Sequence, residues 1–221
     1  MEGLSIASII ISVLSIIIAY YTLIHQIEIS YPNIELTIAP YKFSKQESFL
    51  LKYSKKEKRF YLILKANADN FSPTQGSIHS CFLKYSFFKK IDALTFSETE
   101  RLPEEIKTYL NAFISDNVQL FNRQVVVPGF QEKTVVFVFK VPVDFVLCKS
   151  CKLESTFFGS KRNVIELEFD YNYENFDKFW ELEECLYLAY QDEYKYKKPS
   201  KLLNYKIHKE VDFNKFEKDG K

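Results

Sequence analysis

The 221-residue chain sets 30 Lys and Arg against 29 Asp and Glu, a net charge of +1, so no global field points to nucleic acid. Phe (21) and Tyr (15) are abundant and Gly is scarce at 5, too few for the repeated tight turns of phosphate-binding loops. No Walker, Rossmann, nucleophile-elbow or H-E-x-x-H pattern occurs, and the expectation is a protein that is not an enzyme and holds no cofactor.

Leu4 to Ile24 reads LSIASIIISVLSIIIAYYTLI, without a charge, a Pro or a Gly. At about 1.5 Å per residue it is long enough to cross a hydrocarbon core roughly 30 Å thick, and it predicts a transmembrane helix over residues 4–24 in an anchor of residues 1–24. A secretory signal peptide would need a basic n-region and a shorter apolar core, and Met1-Glu2-Gly3 carries neither Lys nor Arg.

Within this segment Ser5, Ser8, Ser12, Ser15, Ala19 and Thr22 recur at the a/d spacing of a heptad and share one stripe, while the other faces are mostly Ile and Leu. Helices in lipid gain nothing by hiding Leu from equally apolar tails, so they associate through small residues and hydroxyl hydrogen bonds. The stripe therefore predicts self-association. The alternative is that the hydroxyls bond back to the preceding turn of their own helix. Lys42, Lys45 and the later cluster of Lys52, Lys55, Lys56, Lys58 and Arg59 all follow the helix and none precedes it, which favours a cytoplasmic C-terminal domain.

Residues 25–32 read as a juxtamembrane spacer ended by Pro32, and a β domain is expected over residues 33–190. Asn33 to Ile38 alternates apolar and polar; residues 41–59 are a basic, polar connection; Phe60 to Asn67 is a strand followed by a turn to Gly76. Ile78 to Phe87 is apolar enough to be buried on both faces. Pro103, Ile106, Tyr109, Leu110, Phe113 and Ile114 predict an amphipathic helix over residues 103–115. Strands resume at Arg123 to Val127, which ends in the Pro128-Gly129 turn, and at Thr134 to Val141. Asn163 to Tyr173 alternates most clearly, and a turn at residues 174–177 follows. Phe179 to Tyr190 fits both period two and a helix, and is read as a strand. The fold class is mainly β: one transmembrane helix, then an antiparallel β-sandwich of about seven strands, loosely immunoglobulin-like, with one inserted helix. A partly closed barrel would give the same pattern.

Residues 191–221 read as a basic C-terminal tail. Lys195, Lys197, Lys198 and Lys201 are candidates for contact with anionic lipid or a partner, against the alternative of a solvated tail balancing eight carboxylates in residues 166–184. Cys148 and Cys151 have the C-x-x-C spacing of a zinc or redox pair, but a metal site would need Cys81 and Cys185 to converge on them, so ordinary thiols are expected. His79 falls in a predicted strand, where packing is the usual role.

A Ser/Ala-striped anchor, LSIASIIISVLSIIIA, joined directly to a compact β domain resembles the membrane effectors that accompany bacterial anti-phage systems such as retrons and cyclic-nucleotide signalling operons. The resemblance lies in architecture. It implies a domain that senses a trigger or a protein partner encoded nearby, and anchors that cluster in the bilayer of the inner membrane to arrest the infected cell.

Overall fold

A computed structural model describes residues 2–38, 49–114, 118–148, 150–157, 163–168 and 179–217. The chain opens with helix α1 (Glu2–Ser30), 29 residues long. It runs through residues 25–30, which were expected to be spacer: nothing before Pro32 breaks it, and only the residue preceding a proline is steered out of helical backbone.

Two open five-stranded sheets follow. The first is ordered β1 (Ile34–Ile38), β3 (Arg59–Asn70), β8 (Glu132–Val141), β6 (Val118–Leu120), with β2 (Phe49–Ser54) also paired to β3. The second is ordered β10 (Asn163–Glu168), β9 (Ser150–Phe157), β4 (Gly76–Ser86), β5 (Lys89–Asp92), with β7 (Val125–Val127) also paired to β4. Every pairing among the described residues is antiparallel except β6 with β8. The described residues thus form ten strands where about seven were expected. β2 lies in the stretch read as a basic connection, and β5, β6 and β9 are short or carry polar residues that obscure their alternation.

The sheets share one core. Leu36, Leu62, Leu64, Phe137 and Phe139 of the first meet Ile78, Leu83, Val125, Leu153 and Leu167 of the second. The first sheet is covered on its other face too, where Tyr61, Ile63, Val136 and Val138 pack beneath Ile106 and Leu110 of α3 (Glu104–Phe113), which follows the single-turn helix α2 (Phe96–Thr99). Strands covered on both faces read as continuous apolar runs, as in Phe60-Tyr61-Leu62-Ile63-Leu64. The expectation that Ile78 to Phe87 is buried on both faces is corrected: a register shift between Ile78 and Ser80 turns the strand, and Ile78, Cys81 and Leu83 are buried while His79 is exposed.

The strand expected at Phe179 to Tyr190 is helix α5 (Phe179–Glu193). Leu182, Leu186 and Ala189 are buried at helical spacing, and that stripe outweighs the period-two fit of Leu188 and Tyr190. The expected tail likewise contains α6 (Lys201–Glu210) and α7 (Phe213–Glu217). Ser200 caps α6 by accepting the Leu203 N–H at 3.2 Å, and Leu203, Ile207 and Val211 are buried. The lysines occupy the solvent side and masked a short apolar stripe. α5 meets α4 (Val143–Val146) at the end of β8, where Glu193 accepts the Val143 N–H at 3.1 Å. Residues 169–178, which hold the rest of the expected strand to Tyr173 and the turn after it, lie outside the described residues.

Candidate membrane anchor and its junction with the sandwich

From Ser8 to Ile27 α1 is long and apolar enough to cross a membrane, and none of that span is buried against the rest of the chain. Ser8, Ser12, Ser15, Ala19 and Thr22 are exposed on one stripe; the Ser5 side chain lies outside the described residues. Three hydroxyls are already bonded within the helix: Ser12 Oγ donates to Ser8 O, Ser15 Oγ to Ile11 O and Thr22 Oγ1 to Ile18 O, each at 2.8 Å. A contact between helices along this stripe would exchange hydrogen bonds instead of rescuing unpaired ones, which sets its worth near the lower end of the measured range, about 0.6 kcal/mol per bond.

Three residues separate α1 from β1. Tyr31 donates its N–H to Ile27 O at 3.2 Å and closes the helix. Pro32 is buried and its φ is fixed by its ring. Asn33 is bonded through both backbone groups: its N–H donates to Ser72 Oγ at 3.1 Å and its carbonyl accepts the Phe71 N–H at 2.9 Å.

The loop that holds Asn33 is itself braced. Asn70 is buried; its amide donates to Thr74 O at 2.8 Å and Val127 O at 3.1 Å, and its Oδ1 accepts from the Ser72 N–H at 3.1 Å and Ser72 Oγ at 2.7 Å. The Phe130 N–H donates to Ser72 O at 3.0 Å. Two glycines permit the close approach. A Cβ on Gly129 would sit 2.1 Å from Pro73 O, and one on Gly76 would sit 2.5 Å from both Pro32 Cβ and Ile34 Cδ1. Turn residues mark both Asn70-Phe71-Ser72-Pro73 and Pro128-Gly129 in the sequence, but nothing in either stretch shows that they clasp the residue leaving the helix.

The remaining candidate residues lie elsewhere. Lys195, Lys197 and Lys198 are exposed just after Glu193, which reaches the end of β8 remote from Asn33. About 30 Å of strand separates them from the junction. Lys201 is exposed at the start of α6. Cys148 Sγ donates to Asp144 O at 3.2 Å, and Cys151 is buried on β9. Burial raises the Cys148 thiol, and burial with the neighbouring Cys148 pushes Cys151 up to about 12, so neither favours the thiolate that a zinc or redox pair needs. Among the described residues no three His, Cys, Asp or Glu side chains come together as a metal site, and none of Cys81, Cys148, Cys151 and Cys185 is in a disulfide. Ser77 Oγ and His79 Nε2 are 2.9 Å apart.

No protein-family model matches the sequence, and no curated protein sequence is similar to it.

Proposed function

We propose that the chain is a non-catalytic, single-pass inner-membrane protein whose cytoplasmic sandwich senses a trigger or a partner and whose helix responds by assembling through Ser5, Ser8, Ser12, Ser15, Ala19 and Thr22, in the manner of an anti-phage abortive-infection effector. The junction carries this reading. Asn33 is held through both its N–H and its carbonyl, so little slack separates sandwich from helix, and a change of packing at one is felt at the other. A trigger then needs only a differential affinity for the assembled state.

A second reading, in which α1 is a passive tether for a scaffolding sandwich, is supported by the hydroxyls of Ser12, Ser15 and Thr22, which are bonded within their own helix. Membrane polarisation separates the two. A potential-sensitive dye is read during induced expression of the full chain, a Ser8/Ser12/Ser15→Leu variant, and a chain with an unrelated apolar 20-mer in place of residues 8–27. Depolarisation by the full chain alone supports the effector. Equal behaviour of all three, at equal amounts in the membrane fraction, supports the tether.

A further inference from the structure

We propose that Tyr31, Phe71 and Phe130 seat the sandwich in the bilayer interface, so that the domain stands on the membrane by its junction end. The proposal rests on reading α1 as a membrane span and goes beyond it, because a span alone would leave the domain free in solvent above the lipid.

Three observations converge. The first is reach. Tyr31 follows Ile27 by four residues, about 6 Å along the helix axis, and the interfacial layer outside the hydrocarbon is roughly 5–8 Å deep on each side. The second is clustering. The Phe71 N–H donates to Asn33 O and the Phe130 N–H to Ser72 O, and Ser72 Oγ in turn accepts the Asn33 N–H, so hydrogen bonds hold both loops beside the chain leaving α1. All three aromatics are open to solvent: Tyr31 is 51% exposed, Phe71 58% and Phe130 71%.

The third is backbone. Phe130 has φ 54°, a left-handed conformation in which Gly or Asn costs less and a bulky aromatic is disfavoured. A large apolar side chain, mostly exposed and in a disfavoured conformation, gains little from folding. It gains from an apolar phase beyond the protein surface: Trp and Tyr settle at the interface at the ends of membrane spans, and interfacial segments bury Phe a little deeper, at the headgroup–acyl boundary.

Charge argues for the lipid phase over an anionic headgroup lattice. Glu35, Asp69 and Glu132 are register partners across β1, β3 and β8, just behind the aromatic end. Such a row repels an anionic surface. The docking is therefore carried by the rings and does not require acidic lipid.

The hairpin tip of β4 and β5 supplies an internal control. Phe87 and Phe88 are 80% and 91% exposed, but Gly76 stands at the junction end of β4 and Ser86 at the other, about 33 Å away.

The test uses the full chain in vesicles of zwitterionic lipid brominated near the glycerol end of the acyl chain. Phe71→Trp, Phe130→Trp, Phe88→Trp and Leu23→Trp are each read as the change in tryptophan quenching over the parent, whose one tryptophan is Trp180. The proposal expects strong added quenching for Phe71→Trp, Phe130→Trp and Leu23→Trp, none for Phe88→Trp, and the same pattern when anionic lipid is added. Quenching of Leu23→Trp without that of Phe71→Trp and Phe130→Trp overturns the seating and keeps the span. Absence of quenching at Leu23→Trp as well overturns both. Two loop variants keep the result independent of any one substitution that disturbs folding.

Discussion

The backbone N–H of Asn33 donates to Ser72 Oγ at 3.1 Å, joining the residue that leaves α1 to the loop that ends β3. The same oxygen bonds Asn70 Oδ1 at 2.7 Å, so the exit of the helix is tied to a buried amide in the sandwich. Asn70→Ala removes the amide that donates to Thr74 O and Val127 O and the oxygen that accepts the Ser72 N–H; Thr74 O keeps the Ser72 hydroxyl as a donor at 3.1 Å. The expected loss is about 3 kcal/mol, on the order of 10 °C in thermal midpoint, read by circular dichroism in detergent. Ser72→Ala should cost about 1 kcal/mol, because Asn33 loses one bond and keeps its carbonyl contact with Phe71.

The two junction glycines separate rigid from yielding neighbours. At Gly129 an added Cβ meets the Pro73 carbonyl, which moves only with its backbone, whereas at Gly76 part of the clash is with Ile34 Cδ1, the free end of a side chain. Gly129→Ala should therefore lower the midpoint more than Gly76→Ala, by at least about 2 kcal/mol in stability. An equal effect would mean that Pro32, the other neighbour of Gly76, is as fixed as Pro73.

Acid sensitivity should show at Glu57. Its carboxylate accepts from Lys140 Nζ at 2.7 Å and from the Tyr61 hydroxyl, and these bonds hold it below the usual carboxylate range. A carboxyl depressed on folding stabilises the protein above its unfolded value of about 4.3, and that stabilisation is lost as pH falls through the folded value. The pair is partly exposed, so Glu57→Gln should cost at most about 1 kcal/mol at pH 7. The gap between parent and variant in urea midpoint should close as the titration passes below about pH 4.

Thiol reactivity tests the cysteines. Burial raises Cys81 well above an ordinary thiol and Cys151 to about 12. At pH 8 both should react with a disulfide reagent far more slowly in the folded protein than in denaturant, and added zinc should leave the thermal midpoint unchanged.

Much of the architecture was legible because its signals are local. The apolar run of α1, the alternation of β1, the continuous apolar run of β8 and the stripe of Ile106 and Leu110 each announce an element within a dozen residues. What failed was where two periods overlap or charge hides one. Phe179 to Tyr190 satisfies both periods, and only the core it meets selects the helix; Leu203 and Ile207 are outnumbered by lysines. The junction was unreadable for another reason. Asn33 and Ser72 are 39 residues apart, and no local pattern reports a bond that exists only after β1 pairs with β3.

Everything proposed for the sandwich depends on α1 being in a bilayer, and alkaline carbonate extraction of membranes from cells making the full chain tests that most directly. The account predicts that the chain stays in the membrane pellet at high pH, as integral proteins do, and moves to the supernatant when Ile11, Leu14 and Ile18 are replaced by Lys. Full release of the unaltered chain would contradict a membrane-spanning α1, and with it the helix assembly and the seating of Phe71 and Phe130.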